Sequence, residues 1–188
     1  MDTGIETDMI SSKTSPRSAP RKPGHRRAKG HLVLTHGTGD VRLFIHLLAT
    51  FLHRTDSKRR RLYLGDMEAA SVAETVGMAA IEPGMRDPTF REKFSDFRSV
   101  IGVAGQRGIN AMSIAQATGI PRETVRRKLK RLVETGIITE QSRGRYVVKP
   151  GFVQKAENLA IFESGMREAV QFMNDCVALG LVRWSGED

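Results

Sequence analysis

Apolar side chains recur three and four positions apart through most of this chain, the spacing that gathers them on one face of an α-helix. Val41, Phe44, Ile45, Leu48, Phe51 and Leu52 form the first such stripe. Asp40 is placed to cap it, and the spacing predicts a helix ending near His53 and Arg54, with Lys58 to Arg61 as a basic turn. A second helix is expected to start at Asp66 and run from Met67 to Ile81. Its Ala69, Ala70, Ala73, Gly77 and Ala80 leave room for a close neighbour, and Glu82-Pro83-Gly84 should break it. Asp87-Pro88 has the cap-then-proline order of a helix start. A third stripe then runs through Phe90, Phe94, Phe97, Ile101 and Ala104 towards Gly105 and Gly108, as the first helix of the unit that follows.

From Ile109 the pattern shortens. Asn110 can cap a brief helix through Ile114 and Ala117 that stops at Gly119, and a second helix opens at Pro121 and runs through Val125, Leu129, Leu132 and Val133 to Gly136. This spacing is that of a helix-turn-helix: Ala115 is small where the helices cross, Gly119 supplies the turn's positive φ, and Val125 fills the angle between them. Ile137-Ile138-Thr139 and Tyr146-Val147-Val148 read as two strands around Ser142-Arg143-Gly144-Arg145, a hairpin or wing with a basic tip. Beyond Pro150, Leu159, Phe162, Met166, Ala169, Met173, Cys176 and Gly180 form a narrow stripe of the kind that lines a helix–helix seam.

Four parts follow: a basic tail over 1–38, expected to be disordered; a helical segment over 39–86; a winged helix-turn-helix over 87–149; and a C-terminal pairing helix over 150–188. The fold class expected is mainly α, with a small β-hairpin wing and flanking N- and C-terminal dimerisation helices.

Charge sharpens this division. The 188 residues carry a net charge of +9, and its location matters more than its size. Residues 1–30 hold 7 basic against 3 acidic side chains, 109–149 hold 9 against 3, and 150–188 hold 3 against 6. The surplus therefore sits on the tail and on the helix-turn-helix with its wing. No apolar run reaches the roughly 18 to 20 residues of a membrane span, and no apolar core marks an export signal, so a cytoplasmic protein is expected. Cys176, the single cysteine, reads as a buried apolar thiol. His46 and His53 have no carboxylate or cysteine to complete a metal set. Gly37-Thr38-Gly39-Asp40 lacks the lysine of a phosphate-binding loop and reads as a helix lead-in. No nucleophile–base or paired-carboxylate arrangement suggests catalysis, so neither enzyme nor cofactor is expected.

On a wheel of 100° per residue, Val125, Leu129, Leu132 and Val133 share one side of the second helix, and Glu123, Arg127 and Lys130 share the other, with Arg126 and Arg131 flanking. An Arg can donate to both guanine O6 and N7, and a Glu can accept from the cytosine amino group, so this mixture suits the reading of a G·C-containing step. A face built for charge alone would not need Glu123. Arg122, Glu123, Arg126, Arg127 and Lys130 are the candidate base-reading residues; Ser113, Thr124, Arg131, Arg143 and Arg145 are the candidates for the DNA backbone.

Residues 109–149 resemble the winged helix-turn-helix of bacterial transcription regulators. Gly119-Ile120-Pro121-Arg122-Glu123-Thr124-Val125-Arg126-Arg127 is similar to the recognition-helix signature of the cyclic-AMP receptor protein family. The resemblance implies base-reading roles for Arg122, Glu123 and Arg127 and a backbone contact for Thr124. Pro121 stands in place of the signature's capping Ser, and Lys128 in place of an apolar residue. The strand-rich cyclic-nucleotide domain of that family has no counterpart in the helical pattern of 31–108, so no small-molecule effector carries over. The sequence thus predicts a DNA-binding transcription regulator that pairs two copies on a palindromic operator in double-stranded DNA. Its alternatives are a winged-helix module that binds a protein, and a DNA-binding replication or partition protein.

Overall fold

A computed structural model describes residues 30–35 and 40–186. The expected tail as far as residue 29 and the Gly37-Thr38-Gly39 lead-in lie outside the described residues. In chain order the elements are β1 (His31–Leu34), α1 (Val41–Leu62), α2 (Met67–Met85), α3 (Pro88–Lys93), a 3₁₀ turn (Val103–Gly105), α4 (Ala111–Thr118), α5 (Arg122–Glu134), β2 (Ile138–Ser142), β3 (Arg145–Val148), α6 (Ala156–Ala178) and β4 (Val182–Ser185). The molecule is mainly helical, with two small antiparallel sheets, β1 with β4 and β2 with β3.

The core forms where α2, α4 and α5 cross. Ala69, Ala70, Val72, Ala73 and Val76 of α2 close on Ile114 of α4 and on Val125, Leu129 and Leu132 of α5, with Ile137, Ile138 and Phe152 beneath. Ile114 and Val125 are fully buried, each contributing about 1.5 to 3 kcal/mol of apolar transfer free energy. The small residues of α2 let it approach both helices and β3; a Cβ added at Gly77 would lie 3.6 Å from Val148 Cγ2.

Four expectations about the first hundred residues need correction. The Lys58 to Arg61 stretch is not a turn, because α1 continues to Leu62. Two of its four cations are paired in helical conformation: Arg59 pairs with Asp56 on its own helix and with Glu74 of α2, all at 2.8 Å, and Lys58 reaches Glu168 of α6 at 3.2 Å. Cations in a last turn also suit the helix dipole. Asp40 occupies the N-cap position of α1 but makes no side-chain cap hydrogen bond. Nor does Glu82-Pro83-Gly84 end α2, which carries Pro83 in its last turns and reaches Met85.

The fourth correction concerns the stripe over 88–104, which is not one helix. Asp87 caps α3 as expected, accepting from Thr89 N–H, but α3 stops at Lys93. The phenylalanines that share a period pack in different directions. Phe90 lies against Phe94 (4.7 Å between centroids) and over Gly84, whereas Phe97 stacks on Phe162 of α6 at 5.9 Å. Between them Asp96 turns the chain by accepting from Arg98 N–H. The helix that completes the winged unit is therefore α2.

The flanking helices pair with each other within the chain. Phe172 of α6 packs against Phe44 and Phe51 of α1 at 6.0 and 5.3 Å, and Glu168 accepts from Arg54 and Lys58. These contacts run in opposite chain directions, so α1 and α6 are antiparallel. The β1–β4 ribbon, with His31 opposite Ser185 and Leu34 opposite Val182, joins the start of the described chain to its end. The sequence pattern did not indicate it.

Candidate nucleic-acid interface

The local folding of the helix-turn-helix follows from a few residues. Asn110 Oδ1 accepts from Ser113 N–H at 2.9 Å and starts α4. Gly119 ends it with φ 71°, a left-handed conformation in which any side chain is strained. Pro121 takes the N-cap position of α5 with no side-chain cap, leaving the first-turn N–H groups open to an anion. At the far end Gly136, with φ 72°, lets Gly136 N–H and Ile137 N–H bond back to Val133 O and Leu132 O.

Along α5, Val125, Leu129 and Leu132 are buried as expected, but Val133 remains 39% exposed at the edge of the core. Arg122, Glu123, Arg126, Arg127 and Lys130 are all exposed. Glu123 has 88% of its side chain in solvent and lies 4.0 Å from Arg126. Among the described residues, Arg122, Arg127 and Lys130 have no carboxylate within salt-bridge distance. The convex face of α5 thus presents four cations and one carboxylate, free of the protein's own anions apart from the loose Glu123–Arg126 pair.

The flank of α5 differs. Lys128 Nζ lies 2.8 Å from both oxygens of Asp66 and 3.1 Å from Glu68, with only 14% of its side chain exposed. Arg131 lies 3.8 Å from the same Asp66. Asp66 also caps α2 by accepting from Ala69 N–H. Burial alone would raise the Asp66 carboxyl, but the hydrogen bonds from Lys128 and Ala69 and the charges of Lys128 and Arg131 outweigh it and hold the carboxyl below its ordinary value. The Asp66 hydrogen bond correspondingly raises Lys128. Lys128, which breaks the apolar pattern of the signature, is thereby the tie that sets the roll of α5 on α2.

The wing forms in register, Ile138 opposite Val148 and Ser142 opposite Arg145, with an irregularity at Gln141 and Gly144 (φ 73°) at the tip. Thr124 and Ser113 are half-buried, and Ser113 contributes its backbone N–H to the Asn110 cap. Arg143 is exposed at the tip. Arg145, expected to face DNA, is exposed but donates from Nη1 to Gly108 O at 2.9 Å, which anchors the wing to the preceding loop.

Two glutamines not singled out in the sequence hold that loop and the wing together. Gln141 accepts from Gly108 N–H and donates to Val103 O and Gln106 O, all at 2.9 Å. Gln106, 7% exposed, donates to Ile101 O and Val148 O and accepts from Val148 N–H. A polar residue facing inward from a strand and another just after a glycine are faint signals, visible only once the loop is placed.

Residues 107–162 match the family model of the Firmicute plasmid replication protein (RepL). The match begins at the loop before α4, spans the helix-turn-helix and wing, and ends within the first turns of α6. This is a different family from the cyclic-AMP receptor proteins that the recognition-helix signature resembles. No similar curated protein and no similar solved structure was found. No helix among the described residues is long and apolar enough to cross a membrane.

Proposed function

We propose that this chain binds a specific site in double-stranded DNA by laying the exposed face of α5 in the major groove and the wing along the flanking backbone. One observation carries the reading: Glu123 projects into solvent among Arg122, Arg126, Arg127 and Lys130, with the opposite side of the same helix buried. Arginines there can donate to guanine and Glu123 can accept from cytosine, so the set discriminates bases as well as attracting phosphate. Thr124, Ser113, Arg131, Arg143 and Arg145 then serve the sugar-phosphate backbone. Two copies on a palindrome would place their recognition helices about 34 Å apart. The setting is the cytoplasm, and the protein acts by binding and not as an enzyme.

The similarity over 107–162 to plasmid replication proteins favours a role at a replication site. The recognition-helix signature favours transcription regulation instead, and both roles need the same DNA-reading act. Selection of bound duplexes from a random pool tests it: an enriched inverted repeat is expected, and a pool that stays random would refute sequence reading. A protein-binding winged helix would show neither enrichment nor a log–log salt slope near −0.9 per phosphate contact.

A further inference from the structure

The tip of the wing, Ser142 to Gly144, carries the exposed Arg143. Inside the tip, Glu140 Oε1 accepts from Gly144 N–H. Among the described residues, neither Ser142 nor Arg143 bonds through its side chain to another element, so the two strands below decide where the tip lies. Both strands are moored to one residue. On β2, Gln141 Oε1 accepts from Gly108 N–H, and on β3, Arg145 Nη1 donates to Gly108 O, each at 2.9 Å. Gly108 is buried, and its neighbours fix its backbone. Ile109 and Tyr146 exchange two hydrogen bonds at 3.1 and 2.9 Å, and Arg107 N–H reaches Ala80 O of α2 at 3.0 Å. The seat admits no side chain: a Cβ at Gly108 would lie 2.6 Å from Gln141 Oε1 and 2.9 Å from Arg145 Cβ.

The two moorings differ in chemistry. Arg145 is an exposed cation, and a phosphate is a stronger acceptor for it than Gly108 O because an anion can take two of its N–H groups. Gln141 is a neutral amide with no such pull on it. Both hydrogens of its Nε2 are already engaged, on Val103 O and Gln106 O at 2.9 Å. The strand irregularity explains its aim. Glu140 stands opposite Tyr146 and Ser142 opposite Arg145, so Gln141 is the extra residue on β2, and a bulge re-aims the side chain it carries.

We propose that Gln141 is the positioning residue of the wing: seated on Gly108, it holds the tip when Arg145 leaves Gly108 O for a phosphate, and so keeps Arg143 on the DNA backbone while α5 occupies the groove. The proposal rests on the DNA-binding reading and names the residue through which the wing's contact is set.

The test takes the full chain and a duplex that the wild type selects, with affinity followed by fluorescence anisotropy over a range of salt. Gln141→Leu keeps the size of the side chain and removes its hydrogen bonds. It should weaken binding about tenfold, the worth of one charge-assisted hydrogen bond. The log–log salt slope should shrink by about 0.9, and the order of preferred bases should hold. In an Arg143→Ala background the same substitution should cost about twofold or less, since the contact it positions is already gone. Gly108→Ala, which crowds the amide without removing it, should reproduce both results, with circular dichroism reporting the folding of each variant. Hydrogen exchange on the unaltered chain needs no substitution: Gly108 N–H should stay protected when the duplex is bound, and its deprotection would overturn the mooring. Unchanged affinity in Gln141→Leu, or an equal loss with and without Arg143, overturns the positioning role alone. A wild-type chain that selects no duplex overturns the DNA reading and this role together.

Discussion

Asp66 joins two jobs that can be separated experimentally. Its Oδ1 caps α2 by accepting from Ala69 N–H, and both oxygens hold Lys128 of α5 at 2.8 Å. Asp66→Asn keeps an acceptor for the cap and removes the charge. The Asp66 and Lys128 side chains are 15% and 14% exposed, so the pair is largely withdrawn from water, and outright loss of a partner in a buried pair costs about 3 to 5 kcal/mol. Glu68 remains 3.1 Å from Lys128 and is itself half exposed, which lowers the expected loss to about 2 kcal/mol, in the range of a charge-assisted hydrogen bond. Asp66→Ala should cost about 1 kcal/mol more, the usual worth of a cap.

Equilibrium urea unfolding at pH 7 measures both variants, and pH supplies the second readout. The folded-state pKa of Asp66 is lowered, so its contribution is present above the unfolded-state value near 3.8 and is lost as pH falls through the lowered folded value. Lys128 is raised above 10.5, so its contribution is present below that value and is lost as pH climbs through the raised one. The gap between wild type and Asp66→Asn should form a plateau between these limits. Equal stability at pH 7, or a gap that is unchanged on acidification to pH 2, would refute the ionic tie.

Arg127→Ala should cost about 1 to 3 kcal/mol on a preferred duplex and relax the choice of base there; unchanged affinity and preference in a binding titration would remove it from the reading face. Arg143→Ala should instead weaken all duplexes alike, measured as a parallel loss on matched and scrambled sites. Gly119→Ala meets no atom within 4 Å of the added Cβ, so its cost is that of the φ 71° backbone alone, about 1 to 2 kcal/mol in a thermal or urea unfolding measurement. Cys176 is buried and its thiol is pushed up by burial and by Asp175; aromatic disulfide reagents should label it far more slowly in the native chain than in urea.

The helix-turn-helix was legible because its determinants are local. Asn110, Gly119, Val125 and Gly136 act within a few residues of themselves, and a cap, a positive φ and a period of 3.6 can be read from sequence alone. The stretch over 88–104 was not, because a phenylalanine every few residues states only that each ring is buried somewhere. Phe97 found Phe162, sixty-five positions later, and Phe90 found the gap at Gly84. The basic run at 58–61 was misread for the same reason, since Glu74 and Glu168, which pair with Arg59 and Lys58, lie on other helices. The C-terminal stripe mixed two faces: Phe162 and Cys176 turn inward, whereas Met166 and Met173 stay exposed.

The same contrast bears on the charge of the reading head. Its 9 basic residues over 109–149 are not equivalent once the chain is folded. Lys128 is closed off by Asp66 and Glu68, Arg131 shares Asp66, and Arg145 is committed to Gly108 O. Those three fix where α5 and the wing sit. Among the described residues, Arg122, Arg126, Arg127, Lys130, Arg143 and Lys149 are exposed and their side chains make no tie to another element. On the proposed DNA-binding reading, Lys128 acts through position, Arg131 and Arg145 through position as well as backbone contact, and the residues of the α5 face and Arg143 through contact. Removal of Lys128 should therefore change affinity by letting the helix roll, with little change in the number of phosphates engaged. Removal of Arg143 should lower that number directly.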